Sequence, residues 1–239
     1  MAPDYPLALE GGPPPRWFVI STLTGGGGMD IEANIEAYLA ERRPTDRYAS
    51  FDYCFNHFQA HREEGSLPAL AKGPGMQLSC LHLGFYLASW GMYRGSTALL
   101  QRRLRHLAPV VEVIADTPPE VWQADADDYS DGVCTELLEL AGRLRRALPD
   151  GATDTLVTKI MLGVFGCVPA FDTNFRKGAG LSAFGRGSLE LLGRFYGANR
   201  ELIDRHRTPT LDFDTGKPTN RRYTRAKVID MIFFVEGAG

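Results

Sequence analysis

Residues 158–175 read Thr158-Lys159-Ile160-Met161-Leu162-Gly163-Val164-Phe165-Gly166-Cys167-Val168-Pro169-Ala170-Phe171-Asp172-Thr173-Asn174-Phe175. The apolar run over 154–165 predicts a helix that ends in a glycine turn at Gly163 and Gly166. Pro169 then fixes the backbone, and a single acid, Asp172, follows among apolar neighbours. A carboxylate in such a setting is costly unless it caps a helix, is paired, or is used chemically. Asp172 stands where its side chain can accept backbone N–H bonds at the start of a following helix. Capping and catalysis are compatible roles, because a helix N-terminus favours the ionised carboxylate that glycosidic cleavage needs.

Outward from this stretch the chain reads as helix after helix. Asp30 caps a helix to about Arg43, with Ile31, Ile35, Tyr38 and Leu39 on one face. Residues 51–63 follow, with Phe51, Phe55 and Phe58 in register. Residues 76–90 form the clearest buried helix, with Leu78, Leu81, Phe85 and Ala88 as its inward stripe. Trp90-Gly91-Met92-Tyr93-Arg94-Gly95-Ser96 breaks it, and Ser96 caps a helix carrying Leu99, Leu100, Leu104 and Leu107 up to Pro109. Residues 131–148 are amphipathic, with Val133, Leu137, Leu144 and Leu148 inward and Arg143, Arg145 and Arg146 outward. Residues 186–206 give one or two helices, 209–221 a polar loop, and 222–235 a closing amphipathic helix. The expectation is an all-α fold of about nine helices over residues 29–239, in one domain or two packed lobes meeting near 149–153. Residues 1–28 are a Pro- and Gly-rich tail and loop, with Trp17-Phe18-Val19-Ile20 as a short strand or apolar anchor. The run Gly25-Gly26-Gly27-Gly28 lacks the Gly-Lys-Ser/Thr of a phosphate loop.

Composition narrows the class. Hydrophobic residues make up 44% of 239, ordinary for a globular chain and too high for disorder. No apolar run reaches the length of a membrane span, and Met1 to Pro15 lacks the apolar core of a signal peptide. Cys54, Cys80, Cys134 and Cys167 form no CxxC pair and sit in apolar segments, which predicts buried thiols and a reducing, cytoplasmic home. The net charge of −3 is unevenly spread: residues 1–150 hold 13 Lys+Arg against 20 Asp+Glu, and residues 151–239 hold 13 against 9. A basic C-terminal part on an acidic protein permits a local polyanion site.

The 158–175 stretch resembles the hairpin-and-aspartate region of the helix-hairpin-helix DNA glycosylases, closest to divergent members with a Thr-Lys start and a Pro-x-x-Asp-Ser/Thr ending. The segment from Ser89 to Leu100 is similar to one in bacterial relatives that include a phage-defence glycosylase acting on glucosylated hydroxymethylcytosine. Together the two motifs span about thirty residues. Gly163 and Gly166 are separated by two residues where the family hairpin has Gly-x-Gly, and the gap from Lys159 to Asp172 is shorter than that of the lyase lysine.

The resemblance implies a monofunctional enzyme that hydrolyses the N-glycosidic bond of a modified or damaged base in double-stranded DNA, without metal or cofactor. Asp172 would be the catalytic carboxylate, stabilising the sugar cation and orienting water. Trp90, Tyr93, Arg94, Gln101 and Asn174 would contact the flipped base. Lys159, the amides of Gly163 and Gly166, Arg176, Lys177, Arg221 and Arg222 would grip the DNA backbone, with Lys159 dispensable for excision. A helix–helix corner with Trp90 in the core is an equally natural reading of the second motif.

Other candidates read as structure. Asp125, Asp127, Asp128 and Asp131 have the composition of a calcium loop without its Gly and Glu spacing. His57 and His61 lie four apart with no HExxH around them, and Asp212 and Asp214 sit with Thr215-Gly216 in a turn. Two other functions remain open at this point: a helical module that binds nucleic acid or protein without chemistry, and a glycoside-processing enzyme using paired carboxylates.

Overall fold

The computed structural model describes residues 29–94, 99–148 and 152–239. The expectations for residues 1–28, for Ser96 as a cap and for the 149–151 turn therefore lie outside the described residues. Ten α-helices are present there: α1 (Ile31–Ala40), α2 (Ser50–Glu63), α3 (Gly73–Ser89), α4 (Ala108–Ala115), α5 (Asp131–Ala147), α6 (Asp154–Phe165), α7 (Thr173–Ala179), α8 (Arg186–Ala198), α9 (Arg200–Arg205) and α10 (Arg225–Ala238). A two-stranded antiparallel hairpin, β1 (Pro209–Leu211) and β2 (Pro218–Arg222), completes them. The all-α expectation holds at this level, with the hairpin as an addition.

The deciding stretch folds as a helix, a turn and a second helix. Thr153 caps α6 by accepting from the Leu156 amide, and the helix stops at Gly166, which adopts φ 68°. That left-handed conformation suits glycine, and a side chain there would also meet Thr224 and Phe55. Gly163 is not part of the turn. It lies within α6, where an added Cβ would stand 2.4 Å from the Tyr86 ring. Its role is to let α6 approach α3. Every α6 residue from Leu156 to Phe165 is buried, Lys159 among them.

The connection from 167 to 172 is held by side chains of α6. Thr158 Oγ1 accepts from the Phe171 amide at 2.8 Å, and Thr155 Oγ1 donates to the Phe171 carbonyl at 2.8 Å. Asp172 caps α7, its Oδ1 accepting from Phe175 N at 3.0 Å. The structure thus gives Asp172 the capping role that its position predicts. α7 then packs backbone to backbone on α10: a Cβ on Gly237 would fall 1.8 Å from the Asn174 carbonyl oxygen, and one on Gly178 2.1 Å from that of Phe233.

Three expectations are corrected. The inward stripe of α3 is Ser79, Cys80, Leu83, Gly84, Tyr86 and Leu87, while Leu78, Leu81 and Phe85 are 50%, 43% and 60% exposed. α3 is apolar nearly all round, so its pattern carries little contrast, and the face with small residues wins because Gly84 admits Leu104. The helix expected over 97–107 is a turn at 99–102 and a 3₁₀ turn at Leu104–Leu107, and Pro109 begins α4 instead of ending a helix. The polar loop at 209–221 contains the hairpin, docked on α2 where Asp52 Oδ2 accepts from Leu211 N at 3.0 Å and Asn56 donates to the Leu211 carbonyl at 2.9 Å. Asp52 is fully buried, paired with Arg42 at 2.5 Å and hydrogen-bonded by the Tyr223 hydroxyl at 2.6 Å. Burial pushes its carboxyl upward, opposed by Arg42 and by these hydrogen bonds.

No helix among the described residues is long and apolar enough to cross a membrane. All four cysteines are free and buried, and burial alone drives the Cys54 thiol far upward.

Candidate functional site

Lys159 sits in the middle of α6 with only 3% of its surface exposed. Its ammonium lies 2.9 Å from Asp172 Oδ2. One carboxylate oxygen therefore meets the cation while the other caps α7. This corrects the expectation that Lys159 contacts a DNA backbone, since a phosphate cannot reach a side chain so placed. The thirteen-residue gap in sequence does not separate the two groups in space, because the turn at Gly166 folds the chain back on α6.

A second pair stands beside the first. Lys227, 1% exposed, places its ammonium 2.9 Å from Asp230 Oδ2 and 2.8 Å from the Tyr38 hydroxyl. Asp230 Oδ1 accepts from the Ala170 amide at 3.0 Å. Burial, then Asp230, raises the Tyr38 phenol well above its ordinary range, so Tyr38 stays protonated and its oxygen accepts from Lys227.

Aromatic rings cover both lysines. Trp90 lies 5.2 Å from Lys159 Nζ and 5.8 Å from Lys227 Nζ, within cation–π range. Its ring meets Tyr48 at 5.3 Å and Phe234 at 5.6 Å, and Arg47 lies over its outer side at 5.5 Å. Trp90 Nε1 is buried with no hydrogen-bond partner among the described residues. Trp90, Lys159, Asp172, Lys227 and Asp230 line one small cavity together with Tyr86 and Phe234. Its free space is about 10 Å³, room for about one water. Two larger open grooves run past Arg143 and Arg146, and neither contains a lysine–aspartate pair.

The remaining expected site residues scatter. Tyr93 turns toward His106, 6.2 Å between rings, and does not line the cavity; burial pushes its phenol up to about 12. Arg94 and Gln101 are exposed and also absent from the cavity wall. Asn174 is half-buried on α7, two residues from Asp172. The Gly166 amide donates to the Met161 and Leu162 carbonyls and the Gly163 amide lies inside α6, so neither offers a free donor to a phosphate. Arg221 is committed to Glu63, at 2.6 Å, and to Asn56. Arg222 is exposed and donates to the Arg207 carbonyl. Arg176 donates to the Ser182 carbonyl at 3.3 Å, and Lys177 is exposed. Of the expected backbone contacts, Lys177 and Arg222 are exposed side chains, while Arg176 and Arg221 are half-buried.

The residues dismissed from the sequence do have structural roles. Asp125 accepts from Ala126, Arg225 and its neighbour Ala226 at the start of α10, each at 2.8 Å. Asp212 accepts from the Thr215 amide and hydroxyl in the hairpin turn, which draws its carboxyl downward. Among the described residues no group of His, Cys, Asp and Glu is arranged to hold a metal ion.

His57 stacks on His82 at 4.2 Å and touches His61, and burial, followed by those two rings, lowers its pKa to about 3. Burial lowers His82 as well. In the unfolded chain a histidine titrates near its ordinary value of 6.5. Between that value and about 3 the unfolded state therefore binds a proton that folded His57 refuses. Stability accordingly falls as pH drops through this window, by at most about 1.4 kcal/mol per pH unit for each such histidine. His57→Phe is expected to flatten the fall between pH 6.5 and 5, measured by urea melts; an unchanged slope would show that His57 protonates freely in the folded protein.

Sequence reasoning missed Lys227, Asp230, Tyr38, Tyr48 and Phe234. A signal existed for two of them: Lys227 and Asp230 are the charges within the apolar run from Ala226 to Val235, three residues apart on one helix. No family model matches this chain, and comparison with curated proteins and with solved structures gave no match either.

Proposed function

We propose that the protein cleaves N-glycosidic bonds in DNA, releasing a modified or damaged base, with Asp172 as the carboxylate that faces the sugar cation. The observation that carries this reading is Asp172 itself: half-buried at the edge of an aromatic-walled cavity, held by a helix N-terminus on one oxygen and by Lys159 on the other. A carboxylate fixed in that way needs no reorganisation as positive charge develops on the sugar ring. The bacterial phage-defence resemblance names glucosylated hydroxymethylcytosine as one candidate base. The helix-turn-helix path of α6 and α7 is consistent with a helix-hairpin-helix glycosylase fold.

The cavity is too small for a base as it stands, so the proposal requires movement. The Trp90 corner is the element suited to it: Gly91 follows at φ 80°, and the indole N–H is left without a partner among the described residues. An entering base would stack on the face of the Trp90 ring, and the in-plane indole N–H would meet a different acceptor, such as a sugar or phosphate oxygen. Trp90→Ala is expected to slow single-turnover excision by roughly tenfold to a hundredfold, as loss of about 1–3 kcal/mol of stacking predicts, while DNA affinity changes little. Trp90→Phe should recover most of the rate. If excision per folded molecule is untouched in Trp90→Ala, Trp90 is packing only.

The direct test is incubation with normal, damaged and glucosylated DNA followed by detection of abasic sites. Absence of base release from all of them overturns the reading and favours a binding module without chemistry. Borohydride is expected to trap no protein–DNA adduct, because Lys159 is buried and paired with Asp172; an adduct that disappears in Lys159→Ala would show instead that the amine attacks the sugar C1′ and displaces the base.

A further inference from the structure

The Lys227–Asp230 pair has no place in the reaction outlined above, yet it is built with care. Lys227 is enclosed by the rings of Tyr38 at 4.5 Å, Phe51 at 4.8 Å and Trp90 at 5.8 Å. An apolar side chain of similar length would fill that space without the cost of desolvating a charge, and buried ion pairs of this kind add little net stability. What Asp230 does with its other oxygen is more specific: it takes the Ala170 amide, two residues before Asp172. The 170–172 backbone is therefore clamped from two sides. Thr155 and Thr158 hold Phe171 from α6, the helix that also carries Lys159, and Asp230 holds Ala170 from α10. α10 is in turn the helix against which α7, capped by Asp172, packs through Gly178 and Gly237.

We infer that Asp230 is a positioning residue: through the Ala170 amide it sets where the Asp172 carboxylate stands between Lys159 and the first turn of α7, and Lys227 supplies the counter-charge that lets the Asp230 carboxylate stay buried. The significance of that placement rests on Asp172 being the reacting carboxylate, but the placement itself can be measured without any reaction. Tyr38 completes the unit by accepting from Lys227 at 2.8 Å, which leaves the ammonium directed at Asp230.

Two double variants of the full chain isolate the hydrogen bond. Lys227→Met with Asp230→Leu removes both the charges and the acceptor for Ala170. Lys227→Met with Asp230→Asn removes the charges and keeps an oxygen for Ala170. The Phe175 amide reports directly on Asp172, because Asp172 Oδ1 is its acceptor. In the Met/Leu variant, hydrogen exchange at Phe175 is expected to quicken at least about tenfold while amides in the middle of α2 keep the parent rate. In the Met/Asn variant exchange at Phe175 should return to near the parent rate. Single-turnover base release should fall roughly a hundredfold in Met/Leu, as displacement of a reacting group by about 1 Å predicts, and recover in Met/Asn, with DNA affinity unchanged in both. Unaltered exchange at Phe175 in Met/Leu overturns the inference. So does an equal rise across α2, α7 and α10 in both variants, which would make the pair a general stabiliser. If the parent protein releases no base from any DNA, the glycosylase reading fails on its own, and the exchange measurement still decides the positioning.

Discussion

Asp172→Asn is expected to abolish base release, by a factor of about 10³ or more, while the protein still folds and binds DNA. The substitution keeps the side-chain oxygen that accepts from the Phe175 amide, so α7 retains its cap. It deletes the charge that would face the sugar cation and turns an NH₂ group toward Lys159, which stands 2.9 Å away and is 4% exposed. The ammonium then lacks a counter-ion, at a cost of about 1–3 kcal/mol. The melting temperature should fall by several degrees, and rates must be expressed per folded molecule. A folded Asp172→Asn protein that releases base at the parent rate would remove Asp172 from the chemistry and leave it as a helix cap.

Lys159→Ala is the second large effect, and the structure reverses what the sequence led one to expect. From the sequence the lysine is a dispensable surface contact. In the fold it is a buried cation bridging Asp172 and the Trp90 ring. Its removal strands a carboxylate that is 17% exposed in its side chain. Partial exposure tempers the loss, which should be about 2–4 kcal/mol, or roughly 4–16 °C in melting temperature. Excision should fall as well, because Asp172 loses the group that fixes one of its oxygens. Lys159→Arg keeps the charge but needs more room than a cavity of about 10 Å³ affords, so it should also be destabilised. Thermal melts beside single-turnover assays check both. A Lys159→Ala protein as stable and as active as the parent would show that the pair is idle.

Some of this was legible along the chain. The helices expected over 51–63, 131–148 and 154–165 follow from apolar spacing, and their boundaries come close to the observed Ser50–Glu63, Asp131–Ala147 and Asp154–Phe165. Asp172 as a cap was legible because capping is local: the acid, the three residues after it and the preceding proline suffice. The thiols were legible as buried because all four sit within apolar segments.

The errors share a cause. The α3 stripe failed because a helix apolar on every side gives periodicity nothing to distinguish, and the choice fell to Gly84 against Leu104 and Gly163 against Tyr86. Arg221 was expected to grip DNA because its charge was counted without its partners. Glu63, Asp125, Asp127, Asp204 and Asp230, drawn from elements far apart in sequence, take up Arg221, Arg225 and Lys227. Tyr93 and Arg94 were grouped with Trp90 because they are adjacent, yet the turn at Gly91 sends Tyr93 toward His106 and Trp90 toward Lys159.

The sequence by itself determined the helical class, the glycine stop of α6 and the position of Asp172 at the head of α7, because each depends on residues within one or two turns of one another. Only the tertiary structure decided that Lys159 pairs with Asp172, that Lys227 and Asp230 stand beside them, and that Tyr38, Tyr48, Trp90 and Phe234 close over both pairs. Those contacts join α1, the turn at Tyr48, the corner after α3, α6, the head of α7 and α10, up to 189 residues apart. Their energy depends on which faces meet, and a local pattern does not encode it.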